Sequence, residues 1–185
     1  MALLSFTDGT RVDDPQKIRK TLSGIGVSLE RWPIPDNPDL KALLALDRPV
    51  PEESERLLGF FEPRFETLKA TLGYQSRDLI SLSPDLPGLD GLLGRFKDCH
   101  THDDDEIRYV VEGAGIFGFV LPDKDQVELL VLPGDYINVP RGAEHWFRLT
   151  TDRHIKAIRY FTSREGWVPV YTGTPVHPFG EISRA

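Results

Sequence analysis

The second half of the chain, from Phe96 onward, is a succession of short apolar or alternating runs separated by turn residues. The runs cover residues 106–112, 115–121, 126–132, 136–139, 143–149 and 154–161. Many short strands at close spacing are typical of an antiparallel sandwich or barrel. We therefore predict a mainly β protein whose C-terminal half forms such a barrel.

The first half, up to about residue 95, mixes short helical patterns with proline-rich turns. Asp14 followed by Pro15 is typical of a helix start, and this helix should end near Gly24 or Gly26. Further helices are predicted over 38–44, 52–58 and 64–72, and strands over 27–32 and 77–82. No linker pattern separates the halves, so we expect a single domain over 1–185, with region 1–95 packed on a barrel core at 96–170.

Composition limits the partners and the compartment. The chain has 185 residues, enough for one domain with a real core, and its net charge is -7 without a basic stripe, which argues against nucleic acid. Its single cysteine, Cys99, excludes an internal disulfide framework and fits a reducing compartment. No apolar run approaches the length of a signal-peptide core or of a membrane span. We expect a cytoplasmic protein, with an acidic surface that favours a monomer.

Three histidines and one glutamate are candidate ligands for a single divalent metal ion. His100 and His102 are two residues apart, so on a strand they face the same side. Glu106 follows a short acidic turn and opens the next strand, and His145 lies on a distant strand. Such a mixed nitrogen and oxygen site suits Fe(II), Ni(II), Mn(II), Co(II) or Zn(II). On an octahedral ion, two positions stay open for a substrate that chelates through two oxygens.

Glycine and proline frame these residues at fixed spacings. A bare pair of histidines is equally compatible with a surface loop, but here the order is Gly94-x5-His100-x-His102-x3-Glu106-x6-Gly113 and then Gly134-x5-Pro140-x-Gly142-x2-His145. Both blocks resemble the two motifs of the cupin superfamily, except that Leu149 stands where asparagine is usual. The resemblance implies a cupin-type double-stranded antiparallel β-barrel (jelly roll) with N-terminal helices packed on it, and one metal ion per chain.

Neighbouring polar residues are better explained without the metal. A run of acids before a strand, as in Asp103–Asp105, is more often a solvated turn than a ligand set. Cys99 alternates away from the histidine face and is expected to pack. His154 and His177 fall outside the ligand pattern and are expected at the surface. Asp98 either orients a ligand histidine or faces solvent, and the sequence does not choose.

Alternation places two arginines inside the barrel. If Glu106 faces the metal, Arg108 and Val110 face inward with it. On the last strand, one face carries Ile155, Ala157, Arg159 and Phe161, and its three apolar members indicate that it is the inner face. A buried guanidinium needs an anion, which is either a structural carboxylate or a bound substrate. The pocket is thus predicted to combine a metal, Arg108, Arg159 and the aromatic residues Phe96 and Phe147.

The residues around the ligands closely resemble the acireductone dioxygenase family. The similar runs are 100–109, 111–117, 133–135, 139–147 and 158–169, within a stretch from about Leu89 to Gly173. The resemblance implies that His100, His102, Glu106 and His145 bind the metal. It implies that Phe96, Arg108, Phe147, Arg159 and Trp167 contact substrate, with Arg108 and Arg159 as catalytic residues. Trp167 follows from the resemblance only.

The resemblance also implies a reaction in methionine salvage. The substrate would be 1,2-dihydroxy-3-keto-5-methylthiopentene, an enediol that reacts with O₂. With Fe2+ the family forms formate and 2-oxo-4-methylthiobutanoate; with Ni2+ it forms formate, carbon monoxide and 3-methylthiopropionate. The ligand set is the same for both ions, so either Fe2+ or Ni2+ is expected.

Two other classes share the ligand set. One is another metal cupin, such as a flavonol-type dioxygenase or a sugar-phosphate isomerase, although an isomerase would need a phosphate-binding cluster in place of the two arginines. The other is a binding or regulatory cupin that uses its metal only structurally. The two open coordination positions favour an enzyme over this last class.

Overall fold

Two antiparallel sheets packed face to face form the centre of the computed structural model, which describes residues 2–162, 168–177 and 179–180. Its strands are β1 (Leu3–Phe6), β2 (Arg11–Val12), β3 (Ser28–Arg31), β4 (Ser76–Leu82), β5 (His100–Thr101), β6 (Glu106–Gly113), β7 (Gly115–Val120), β8 (Gln126–Val131), β9 (Asp135–Val139), β10 (His145–Leu149), β11 (Ile155–Phe161) and β12 (Val170–Tyr171). Its helices are α1 (Pro15–Ser23), α2 (Pro38–Leu44), α3 (Pro51–Gly59), α4 (Glu62–Leu72) and α5 (Leu89–Gly94).

Strands from both halves of the chain share the sheets. The seven-stranded sheet has the order β12-β5-β10-β7-β8-β1-β2, and the five-stranded sheet has the order β3-β9-β6-β11-β4. Thus β1 pairs with β8, and β4 pairs with β11 over its full length. The predicted jelly-roll class is confirmed. Of the strands that region 1–95 supplies, β3 and β4 correspond to predicted strands, whereas β1 and β2 were not predicted.

Polar side chains start the first two helices, as the sequence predicts for α1. The Asp14 carboxylate accepts hydrogen bonds from the backbone N–H of Gln16 at 2.8 Å and of Lys17 at 3.1 Å. Asn37 caps α2 in the same way. These contacts satisfy N–H groups that have no partner inside a helix. Among the described residues, no helix is long and apolar enough to cross a membrane.

The five-stranded sheet has two apolar faces, and each face belongs to a different core. Val110 of β6 points between the two sheets, where it packs with residues such as Phe117 and Ile137. Its neighbours Ile107, Tyr109 and Val111 point outward. Helices α2, α3 and α4 cover that outward face, with Leu40, Leu57 and Phe65 among the contacting side chains. The N-terminal helices therefore pack on the barrel, as predicted.

Gly118 of β7 leaves room for an indole ring. Its cross-strand partner is Trp146 of β10, which is 1% exposed, and a Cβ atom on Gly118 would lie 1.8 Å from the Trp146 ring. Because neither strand can move away, we expect Gly118→Ala to lower the free energy of unfolding by about 2–4 kcal/mol. Chemical denaturation measures this change. Gly91→Ala in α5, where nothing lies within 4 Å of the added Cβ, is the control and should be nearly neutral; equal effects of the two variants would contradict the packing.

Candidate metal centre

The four predicted ligands come from three strands and meet at one point. His100 begins β5, Glu106 begins β6 and His145 begins β10, while His102 follows directly after β5. His145 and His100 are cross-strand partners, so the antiparallel pairing itself brings these two rings together. One ligand atom from each of the four residues lies within 4.8 Å of the others, and all four residues are buried. The structure thus groups the residues that the spacing singled out.

Backbone carbonyl groups fix the orientation of all three imidazole rings. The Nδ1 atom of His100 lies 2.7 Å from the Asp98 carbonyl oxygen, that of His145 lies 2.8 Å from the Ala143 carbonyl, and that of His102 lies 3.0 Å from the Val168 carbonyl. A carbonyl only accepts, so each Nδ1 carries the proton. In the neutral ring, the lone pair is then on Nε2, which is the state that binds a metal ion.

The lone pairs face one another across a small space. The Nε2 atoms of His102 and His145 each lie 3.0 Å from Glu106 Oε2. The Nε2 atom of His100 is buried and has no hydrogen-bond partner among the described residues. Such acceptors can converge only when a cation, either a proton or a metal ion, lies between them. The donor set of three nitrogens and one oxygen therefore fits a divalent transition-metal ion.

The electrostatics of the site favour an added positive charge. Burial would raise the pKa of Glu106, but Arg108 and the two facing imidazoles keep it well below its usual range. Burial also disfavours protonated His102, yet the Glu106 carboxylate outweighs this and raises its pKa. By contrast, burial lowers the pKa of His100 to about 4. The candidate ligands are thus an ionised carboxylate and imidazoles that can bind one cation together with it.

Arg108 lies beside the ligands, as alternation predicts. Its Nη2 atom contacts Glu106 Oε1 at 2.8 Å, which leaves Oε2 facing the imidazoles. Its side chain is 14% exposed, and burial lowers its pKa to about 10, so it stays charged at neutral pH. The glutamate thereby joins a fixed cation on one side to the candidate metal position on the other.

A narrow cavity opens next to the ligands and is apolar over most of its wall. Its polar lining comes from His100, Glu106 and Arg108. The remaining lining residues are Ile80, Leu82, Leu92, Leu93, Phe96, Val110, Phe117, Phe147, Ile155 and Ala157. The arrangement can hold a small anion at the charged end and an apolar tail at the other.

Sequence reasoning missed the contribution of the first half of the chain to this cavity. Ile80 and Leu82 of β4, and Leu92 and Leu93 of α5, all line it. The alternation of Ile80 with Leu82 was a usable signal for β4. The short helix α5 begins at a glycine without a side-chain cap, so it carries little sequence signal of its own.

The other predicted substrate-binding residues differ in their position relative to the cavity. Phe96 and Phe147 line the cavity. Arg159 does not; it lies nearer the surface, 30% exposed, with its Nε donating to Asp78 Oδ1 at 2.6 Å. The expectation that Arg159 is buried inside the barrel is met only in part, because β4 supplies a carboxylate at the edge of the sheet. Trp167 lies outside the described residues.

The residues near the site that were not predicted to bind the metal make structural contacts. Asp104 accepts a hydrogen bond from Thr162, and Asp105 accepts one from the Arg141 backbone at 2.9 Å, so both fix the turn. Cys99 is 2% exposed and packs with Trp146, as expected.

The three remaining positions also lie apart from the metal. Asp98 is exposed, and its carbonyl rather than its carboxylate orients His100. His154 contacts Glu112, and His177 is exposed.

Fold and site together define a class of protein: a cupin-type β-barrel with a candidate metal centre of three histidines and one carboxylate beside an apolar cavity. The sequence model of the ARD/ARD' family matches residues 16–169. The chain therefore belongs to the ARD/ARD' family.

Individual relatives match over nearly the whole chain. The acireductone dioxygenase of Trichodesmium erythraeum (strain IMS101) is 48% identical over 177 residues, which is 96% of this chain and 98% of the relative. That of Leptospira interrogans serogroup Icterohaemorrhagiae serovar Lai (strain 56601) is 41% identical over 162 residues, 88% of this chain and 90% of the relative. A solved structure, acireductone dioxygenase from Bacillus anthracis with cadmium ion in the active centre, matches with a TM-score of 0.83 at 36% identity, covering 92% of this chain and 98% of that one.

Proposed function

We propose that this chain is an acireductone dioxygenase, which uses O₂ to cleave 1,2-dihydroxy-3-keto-5-methylthiopentene in methionine salvage. The observation that carries the proposal is the convergence of His100, His102, Glu106 and His145 next to Arg108 and an apolar cavity. Its support is the family membership of the chain together with 48% identity to a curated relative over nearly the full length of both.

The residues around the ligands suit an enediolate. The Arg108 guanidinium contacts the candidate ligand Glu106, so it can hold the anionic oxygens of a chelated substrate. Phe96 and Phe147 form aromatic walls beside that position, and the leucines of α5 with Ile155 offer a dry surface for the methylthio tail. We assign substrate binding to Phe96, Arg108, Phe147, Arg159 and Trp167, with Arg108 and Arg159 also acting as catalytic residues.

The cofactor is one Fe2+ or Ni2+ ion per chain, the two ions that the family uses. Bound to the four ligands, such an ion supplies a template and a Lewis acid for the reaction of the enediolate with O₂. With Fe2+ the products are formate and 2-oxo-4-methylthiobutanoate, and with Ni2+ they are formate, carbon monoxide and 3-methylthiopropionate. The described ligand atoms are the same for both ions.

An oxygen-admission experiment tests the function. The purified protein, loaded with iron or with nickel, is mixed anaerobically with the enediol, and O₂ is then admitted. We expect the ultraviolet absorbance of the enediol to fall faster than in buffer, with carbon monoxide released only by the nickel sample. An absorbance that decays at the buffer rate in both samples would contradict the proposal.

We also propose one domain over residues 1–185, acting as a cytoplasmic monomer without nucleic acid or membrane partners. The sharing of both sheets by the two halves of the chain supports the single domain. The net charge of -7 supports the monomer, since like charge keeps copies apart. Light scattering after size-exclusion chromatography should give the mass of one chain; a dimer mass would contradict the monomer.

A further inference from the structure

A row of three charged residues crosses the five-stranded sheet beside the metal centre. The strands β4, β11 and β6 are neighbours, and their register makes Asp78 the partner of Arg159, and Arg159 the partner of Arg108. Directly opposed residues on neighbouring strands share a face of the sheet. Ile80 and Leu82, which alternate with Asp78 on β4, line the cavity, so this is the face that carries the site.

Asp78 holds the guanidinium of Arg159 through two contacts. Arg159 Nε donates to Asp78 Oδ1 at 2.6 Å, and Arg159 Nη2 donates to Asp78 Oδ2. A two-point contact between a guanidinium and a carboxylate fixes the plane of both groups, which a single contact does not. The side chains of Asp78 and Arg159 are 43% and 30% exposed, so the pair lies between the solvent and the more buried Arg108.

The order of charges along the row places Arg159 between a carboxylate and a second guanidinium. Asp78 is its partner on β4, and Arg108 is its partner on β6. Two guanidiniums on adjacent strands repel each other, and a flexible arginine without a tether can turn toward water. The two contacts from Asp78 therefore hold the Arg159 guanidinium in one orientation despite this repulsion.

We infer that Asp78 is a positioning residue of the substrate site: its two contacts fix the Arg159 guanidinium in the row, beside Arg108, where it attracts an anionic substrate entering the cavity and so sets the affinity for it. This inference rests on the proposed function. Asp78 itself does not line the cavity, and it acts through Arg159. The orientation of Arg159 should affect substrate capture and should leave the metal ligands in place. We therefore expect the effect in KM and not in metal content or kcat.

Kinetics of Asp78→Asn test this. The amide keeps the shape but loses the charge and one acceptor, so we expect KM for the enediol to rise about tenfold, a moderate effect because the pair is partly exposed, with kcat changed less than about twofold. Glu62→Gln is the matched control: it removes the carboxylate that pairs with Arg77, the neighbour of Asp78 on β4, and should leave KM unchanged. Metal content and thermal melting are measured on every variant.

A double-mutant cycle separates positioning from a structural role. In an Arg159→Ala background, Asp78→Asn should add nothing to KM, because the group that Asp78 holds is gone. An unchanged or lowered KM in Asp78→Asn, or the same rise with and without Arg159, would overturn the inference. So would a variant that only melts earlier while its KM stays normal. If the wild-type protein fails to consume the enediol, the proposed function falls first, and this inference falls with it.

Discussion

His102→Ala is expected to remove stoichiometric metal binding. Loss of a group that merely orients a ligand costs about 10–100-fold in metal affinity, so loss of a ligand itself should cost more than about 100-fold. The ring of His102 faces Glu106 Oε2, which also faces His145. Alanine at position 102 removes one of these two imidazoles and leaves Glu106 and His145 without it. Elemental analysis after dialysis measures the metal content, and activity should fall in parallel.

The control for this variant is His177→Ala. His177 is an exposed histidine outside the ligand group, so its removal should leave one metal ion per chain. Circular dichroism shows whether each variant keeps its fold. A folded His102→Ala protein that still retains one ion per chain would mean that the ligand set is wrong.

Arg108→Ala is expected to keep the metal and to lose most substrate capture. Arg108 contacts Glu106 through Oε1, whereas the imidazoles face Oε2, so the ligand atoms stay in place. Removing a buried charged partner of an anion typically costs about 2–5 kcal/mol, which corresponds to a fall in kcat/KM of about 30- to 5,000-fold. Steady-state kinetics with metal analysis measures both quantities.

Arg108→Lys separates charge from geometry. Lysine keeps the positive charge but lacks the planar fork of arginine, so we expect a kcat/KM between those of the alanine variant and the wild type. Arg11→Ala, at an exposed position on β2, is the neutral control. A normal kcat/KM in Arg108→Ala would remove Arg108 from the substrate site.

Both the fold class and the grouping of the four candidate ligands could be predicted from the sequence. The spacing of His100 and His102 is local, and strand alternation alone predicted that Arg108 faces inward, because both depend on the period of two in a strand. Helices α1 and α2 were also predictable, since Pro15 and Pro38 follow capping residues.

Features that depend on distant pairing were not predictable in this way. The strand β1 is four residues long and gains its stability from β8, more than 100 positions away in the chain. The pairing of Asp78 with Arg159 likewise depends on the register of β4 and β11. No local pattern encodes such a register, which is set by the packing of whole sheets.

The carbonyl groups behind the histidines have a consequence for how this protein tolerates sequence change. In many metal proteins an aspartate or glutamate side chain holds the outer nitrogen of a ligand, and a single substitution can remove it. Here the acceptors belong to the main chain at Asp98, Ala143 and Val168, so replacing those side chains leaves the acceptors in place. Substitutions at these three positions should therefore leave the orientation of the ligand histidines unchanged. Insertions or deletions that shift the backbone beside a ligand should disturb it.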